Sequence, residues 1–410
     1  MKKINKTRMT QMTQMTRMTR TGRVLAYALI LALTLTSSLG VAFAAGSAAA
    51  PAGSMVFSGD EIKLSLEQAI TLTLTTSAGI ETAKINKMNN LSKTEEYFQT
   101  ISNYARMDDM AANPMNLMAS GTSRTAKDMA KLGADFATTQ SQKNYEAEIN
   151  SLKRSAVKQY FETLQAKDAV RIAQDNLVAQ EAILNNISAK FKVGVVAKKD
   201  VLSAEVGVNQ AKVELQNAQN LHNLSMMNFN LYFGYPVMQK VTLTDTLQVT
   251  ASTLAPLDEA IKLALVNRNE IAGTKFNQQY YALNLKEVGN NFSKYSSRYY
   301  TATAVSMNAD KAAKEAPLQV EIDVRNKFMQ LSAAKASVDL GKLNVEKAKE
   351  SYRLAKLSFD VGMLTLAEVQ AAQVGAMQAE QNYSKSILTY KLAITDYEQA
   401  MTVGTTRVAF

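Results

Sequence analysis

The chain has 410 residues, with 46 Lys and Arg against 36 Asp and Glu, one His, no Cys and no Trp. Disulfides and thiolate metal sites are therefore impossible, and with His222 as the only imidazole a multi-histidine metal cluster cannot be assembled. Aromatic residues make up only 7%, and abundant Ala, Lys, Gln, Asn and Met suit long helices better than a compact aromatic core.

Residues 1–23 carry seven cations and no acid; Val24 to Gly40 is uncharged and rich in Leu and Ala, and Ala42-Phe43-Ala44 follows. A basic segment, an apolar segment and a small-x-small site describe an export signal over residues 1–44, cleaved after Ala44. The competing reading is an uncleaved anchor from Val24 to Ala45; small residues and threonines before the Ala-x-Ala site favour cleavage. Without the leader, 39 basic residues face 36 acidic ones, so no nucleic-acid footprint is indicated.

Beyond the leader the chain is written twice. Phe191-Lys192-Val193-Gly194 recurs as Phe359-Asp360-Val361-Gly362, and the same offset pairs Tyr160 with Phe328, Asp200 with Glu368 and Val201 with Val369. Upstream, Leu66-Glu67-Gln68-Ala69-Ile70 recurs as Leu257-Asp258-Glu259-Ala260-Ile261, at an offset that makes the middle of the first copy 23 residues longer. The expected organisation is a signal over 1–44, a first repeat over 45–240 and a second over 241–410. The five prolines, Pro317 among them, are expected to lie between the helical stretches.

In chain order, Ser65-x-x-Gln68 reads as a capping box that opens the first helix. Residues 107–140 show almost no alternation of β-branched or aromatic residues, and no strand is expected there. A heptad run follows, with Val170, Leu177, Leu184 and Phe191 at a and Ala173, Gln180 and Ile187 at d. Gly194 marks its end as a left-handed residue, and Asp200 supplies the first-turn acid of the return helix, which carries Val201, Val208, Leu215 and His222 at a. Val241 to Val249 alternates as one short strand, and Pro256 with Asp258 and Glu259 starts the next helix. Tyr299 to Met307 is strand-like. The second heptad run ends at Gly362, and Thr365-x-x-Glu368 forms a capping box for its return helix. One large and one small residue per heptad suit close antiparallel pairs, each helix running about 35 to 40 residues or roughly 50 to 60 Å. The fold class is mainly α: internally duplicated, long antiparallel coiled-coil hairpins with little β-structure.

Leu257-Asp258-Glu259-Ala260-Ile261 and Lys190-Phe191-Lys192-Val193-Gly194 through Asp200-Val201-Leu202-Ser203-Ala204, in this order and duplicated, resemble the TolC-type outer-membrane efflux family. The resemblance covers the two hairpins, about 150–235 and 320–404, most closely. It implies a homotrimer whose hairpins form a hollow helical barrel, capped by a β-barrel of four strands per chain, with a periplasmic adaptor protein and an inner-membrane pump as partners. It also implies a pore constriction at the hairpin tips, where Glu368 matches one acidic ring position and Asp200 the acid of the first hairpin. The chain departs from that pattern at Phe359, Leu364 and Ala371, which replace a tyrosine, an arginine and a second acid. The bland reading of Glu368 is a capping acid without a pore role.

The remaining features are read without chemistry. His222, at an a position, is expected to be packed rather than catalytic. Tyr295, Tyr299 and Tyr300 would either form an interfacial belt or cover a helix junction. Met107, Met110, Met115 and Met118 are expected to fill a helical junction rather than bind copper. No cofactor motif is present, and an enzyme is not expected. The leading expectation is an efflux-duct component of the outer membrane; the alternative is an exported, barrel-less helical scaffold that binds envelope partners.

Overall fold

The computed structural model describes residues 57–113, 121–249 and 254–409, which fall within one compact unit. The signal expected over 1–44, and Met115 and Met118, lie outside the described residues. The elements are β1 (Ser58–Leu64), α1 (Leu66–Thr76), α2 (Ala78–Ala112), α3 (Arg124–Lys192) and α4 (Lys198–Phe233), then β2 (Gln239–Leu243), α5 (Leu257–Asn267), α6 (Asn269–Asn291), α7 (Ser297–Asp360) and α8 (Leu366–Ala400). A strand, two helices, one very long helix and a helix of about 35 residues thus occur in that order twice.

The return helices α4 and α8 have 36 and 35 residues, within the length expected. The outgoing helices do not: α3 has 69 residues and α7 has 64, roughly 100 Å each at 1.5 Å per residue. Each begins within the segments, about 107–140 and 291–317, in which the resemblance implies strands, and no described residue there forms one. Tyr299 to Met307, expected as a strand, is the first part of α7: Ser296 caps it by accepting from the Tyr299 N–H (3.2 Å), and Ala302, Ala309 and Ala316 repeat at heptad spacing on a buried face. Heptad burial overrides the local β-propensity of the tyrosines.

Pro317, expected between helices, stands inside α7. Its ring nitrogen cannot donate to the Ala313 carbonyl, a defect of about 3 kcal/mol in an isolated helix. Buried Ala316, Val320 and Val324 on either side hold the helix through it. The strand expected over 241–249 covers only Gln239–Leu243, and it pairs in parallel with β1, which the sequence reading missed. Both strands are short and sit where the two halves of the chain meet.

Two cores lie at this middle level. The first joins β1, α1, α3, α4 and β2 around Tyr160, Phe161, Phe229 and Phe233. The fully buried Tyr160 hydroxyl lies 2.6 Å from the Asp245 carboxylate and 3.0 Å from the Leu64 carbonyl, which ties the start of the helical layer to the strands. Burial, and then Asp245, pushes its pKa well above the ordinary tyrosine value. The second core joins α5, α7 and α8 around Val320, Val324, Ile394 and Tyr397. The C-terminal segment straps α3 to α6: Asn144 donates to the Val408 carbonyl (2.7 Å) and accepts from its N–H (2.9 Å), while Asn269 donates to the Thr406 carbonyl (2.9 Å).

From this level the helices run both ways. Toward the hairpin tips the layer order is α4, α3, α8, α7, so α4 and α7 are its edges. Away from the tips the order is α2, α3, α6, α7, so α2 and α7 are its edges. Phe136 of α3 and Phe276 of α6 stack at 4.1 Å in that half, and Tyr97 of α2 packs over Gly133, where a Cβ would come within 2.4 Å of the ring. Among the described residues no helix is long and apolar enough to cross a membrane.

Candidate functional site: the hairpin tips

Each tip is a helix stop, a short connection and a helix start. At the first, Gly194 takes φ 77° just past α3, the Gly194 N–H donates to the Phe191 carbonyl (3.0 Å) and the Val195 N–H to the Lys190 carbonyl (2.9 Å). The second repeats this, with Gly362 at φ 78°, its N–H on the Phe359 carbonyl (3.1 Å) and the Met363 N–H on the Ser358 carbonyl (2.8 Å). These paired bonds satisfy carbonyls that a helix end leaves free, and only glycine adopts that backbone at no cost.

The helix starts differ. Thr365 caps α8: the Glu368 N–H reaches its hydroxyl at 3.4 Å, while the Thr365 N–H and hydroxyl both donate to Glu368 Oε2, at 2.7 and 2.8 Å. The bond from the Thr365 backbone, then that from its hydroxyl, holds the Glu368 carboxyl below its ordinary pKa. Ala197 has no hydroxyl, so only half of a box forms at α4, where its N–H donates to Asp200 Oδ2 at 3.1 Å. Both candidate constriction acids are therefore engaged in their own helix caps. Glu368 keeps Oε1 without a hydrogen bond among the described residues and is exposed.

The tips pack on one another. Ile183, Ile187, Val201 and Ala204 of the first hairpin meet Ala355, Leu366 and Val369 of the second in one buried cluster. Beside it lies a cleft of about 820 Å³ lined by Lys190, Lys199, Asp200, Phe359, Asp360 and Thr365. Asp200 lines this cleft and Glu368 does not. The cross-tip polar contact is one the sequence reading did not single out: Lys190 Nζ lies 3.3 Å from Asp360 Oδ1 and 3.3 Å from the Phe359 carbonyl, 4.2 Å above the Phe359 ring, and Asn186 donates to the same Asp360 oxygen at 2.9 Å. Its signal was the charge difference between the copies, Lys192 in one and Asp360 in the other.

The tip surfaces are apolar and oppositely charged. Val193, Val195, Val361 and Met363 are exposed at the turns. The first tip carries Lys190, Lys192, Lys198 and Lys199 against the single acid Asp200, whereas the second carries Asp360, paired with Lys190, and Glu368.

The other singled-out residues have packing roles. His222 is partly buried on α4, and burial, then Lys167, lowers its pKa. Tyr299 covers Gly289 at the α6–α7 junction, while Tyr295 and Tyr300 are exposed. Met107 and Met110 are both exposed on α2; the Thr122 hydroxyl in the connection to α3 reaches the Met107 sulfur at 3.8 Å, which puts Met107 at that junction.

Two long hairpins joined side by side, glycine-stopped at the tips, with a small parallel strand pair at the middle, match a set of solved structures. The chain has the TolC-like fold. It superposes on the Campylobacter jejuni CmeC outer membrane channel with a TM-score of 0.62 and 12% identity, covering 83% of this chain and 86% of that one. The Vibrio cholerae outer membrane protein VceC gives 0.60 and 11%, covering 83% and 97%; the open Neisseria gonorrhoeae MtrE outer membrane channel gives 0.59 and 15%, covering 83% and 90%. No protein-family model and no curated protein matches the sequence.

Proposed function

We propose that the chain is the subunit of a homotrimeric, TolC-like efflux duct of the cell envelope, which passes small molecules or exported polypeptide from an inner-membrane pump without chemistry of its own. One observation carries this: the helical layer is open at both edges, and both edges are apolar. On α7, at roughly 100° per residue, Val320, Leu331 and Val338 fall within about 20° of one another and are buried. Leu318, Ile322, Met329 and Leu340 lie about 160° to 200° away and are exposed. On α4, Val206, Val213, Leu224 and Leu231 share one exposed face, on the other side from buried Val201, Val208 and Ala211. A helix apolar on two opposite sides is an interior helix of a wall. Two different edges that complete one another make a head-to-tail contact, which closes into a ring.

Outer-membrane channels among the structures of like fold support an envelope location and the ring. With four helices per chain, three copies place twelve helices around an axis. At about 9 to 10 Å between neighbours the opening is roughly 25 Å across, wide enough for a small molecule or an extended polypeptide. The charged tips fit the same ring, because the lysine-bearing first tip of one copy lies beside the acidic second tip of the next. In the ring Asp200 and Glu368 stand at the narrow end, with Glu368 Oε1 free to face the axis and favour cations. The exposed Val193, Val195, Val361 and Met363 form the surface for the periplasmic adaptor.

The alternative, a barrel-less exported scaffold, has its own observation in the helical segments that replace barrel strands. Dye retention separates the two. Cells lacking the chain should retain more of a panel of amphipathic dyes, and wild-type protein should restore release where a Val361→Asp/Met363→Asp variant with an intact trimer does not. Unchanged retention across the panel would favour the scaffold.

A further inference from the structure

The half of the molecule away from the tips has edges of its own, α2 and the first part of α7. We propose that these edges join between neighbouring copies, so that the ring continues into a second all-helical barrel where a strand barrel would otherwise stand. The proposal rests on the trimeric ring argued above and extends it to a different pair of helices.

The levels of the two edges can be matched through contacts inside one chain. Lys87 of α2 donates to Gln142 of α3 (2.8 Å), Asn269 donates to the neighbouring Lys143 carbonyl (3.4 Å), and Arg268 pairs with Asp323 of α7 (2.8 Å). Met88 and Ile322 therefore lie at one level. A rotation about an axis along the helices keeps levels, so Met88 of one copy meets Ile322 of the next. Higher up, Tyr97 at Gly133, the Phe136–Phe276 stack and the Gln278–Asp310 hydrogen bond (2.6 Å) bring Glu95 and Glu96 within about one turn of the level of Lys311 and Lys314. At the far end the Ser123–Glu287 hydrogen bond (2.7 Å) levels the two turns, and with them Met110 and Tyr300.

At each level the two edges complement one another. Ile85, Met88 and Met110 lie on the face of α2 opposite buried Ile80, Ala83 and Thr94, and Glu95 and Glu96 flank that face midway. On α7, Tyr300, Met307, Lys311, Lys314, Leu318 and Ile322 lie on the face opposite buried Ala302, Ala309, Ala316 and Val320. Apolar residues face apolar ones at the middle level and at the far end, with an acid pair against a lysine pair between. Among the described residues Glu95 and Glu96 take no ion pair, while the lysines make only exposed pairs within their own helix, to Glu315 and Asp310. The same face of α7 runs on without a break into the edge that the hairpin half uses, so one helix lines the boundary along the whole wall. The second copy of this chain is thus the occupant that charge, level and continuity select.

The absence of native cysteine makes the test clean. Full-length mature protein carrying Met88→Cys with Ile322→Cys, or Ser92→Cys with Leu318→Cys, is treated with a short bismaleimide and resolved under denaturing conditions. A control pair in the hairpin half, Val213→Cys with Leu354→Cys, is levelled by the Asn176–Glu214, Arg171–Glu380 and Lys349–Glu380 contacts. The proposal expects ladders ending at three chains from both far pairs and from the control, and only monomer from the off-level pair Met110→Cys with Ile322→Cys. Reversing Glu95 and Glu96 to Lys should cut the far ladder at least several-fold, and adding Lys311→Glu with Lys314→Glu should restore it. A control ladder without far ladders overturns the proposal and leaves the ring standing. Monomer from every pair overturns the ring and the proposal together.

Discussion

Placing an acid on the outer edge of α7 separates assembly from folding. Leu340 is 61% exposed in the single chain and lies opposite the buried Val338 face. Burying a leucine completely contributes about 1.5–3 kcal/mol, so covering the part still exposed contributes about 1–2 kcal/mol at each boundary between copies. A carboxylate there must also lose water without a partner, at about 1–3 kcal/mol more. Leu340→Asp should therefore weaken each boundary by about 2–5 kcal/mol, a factor of roughly 30 to several thousand. Because the side chain is exposed in the isolated subunit, stability of the monomer should change by no more than about 0.5 kcal/mol. Light scattering across a dilution series would read the mass, and circular dichroism the helix content. The expected result is a helical monomer at concentrations where the wild type is a trimer. A variant that keeps the wild-type mass down to the lowest concentration would refute the edge argument, as would one that loses its helicity. Val338→Asp, on the buried side, should instead unfold the α7–α8 hairpin.

Three further outcomes follow from single residues. Pro317→Ala restores a backbone donor inside α7 and should raise the denaturant midpoint by an amount corresponding to about 1–3 kcal/mol; no gain would mean that the proline fits a local bend. Gly362→Ala meets no atom within 4 Å but must hold φ 78°, so a loss of about 1–2 kcal/mol should come from the backbone alone, and Gly362→Asn should lose less. Glu368 has a lowered folded pKa, so its contribution is fully present above the ordinary glutamate range and lost as pH falls through the folded value. Amide exchange in the first turn of α8 should accelerate over that acidic window in the wild type and show no such step in Glu368→Gln.

The hairpins are legible in the sequence because heptad positions alternate a large with a small residue. Leu177, Val201 and Val208 at a, and Ala173, Gln180 and Ile187 at d, are buried as that pattern requires, whereas Phe191, the a position beside the turn, is exposed. What the sequence hid was the continuation of α3 and α7 beyond the heptads. Tyr299 and Tyr300 favour strand locally, and the helix there is secured by Ala302, Ala309 and Ala316 packing against α6, a contact between segments that no local window contains. Pro317 misled for the same reason: propensity assigns it to a junction, whereas packing on both sides of it keeps the helix whole. At the tips, the Thr365–Glu368 cap lies within four residues and is readable. The Lys190–Asp360 pair joins residues 170 apart, and it becomes visible only when the two hairpins are laid side by side.

The most direct test of the account is electron microscopy of the mature protein, residues 45–410, extracted from the envelope in mild detergent. The account predicts particles of three copies with an axial opening and a helical wall extending to both sides of the middle level. Single hairpin-shaped monomers, or open filaments without an axial opening, would contradict it.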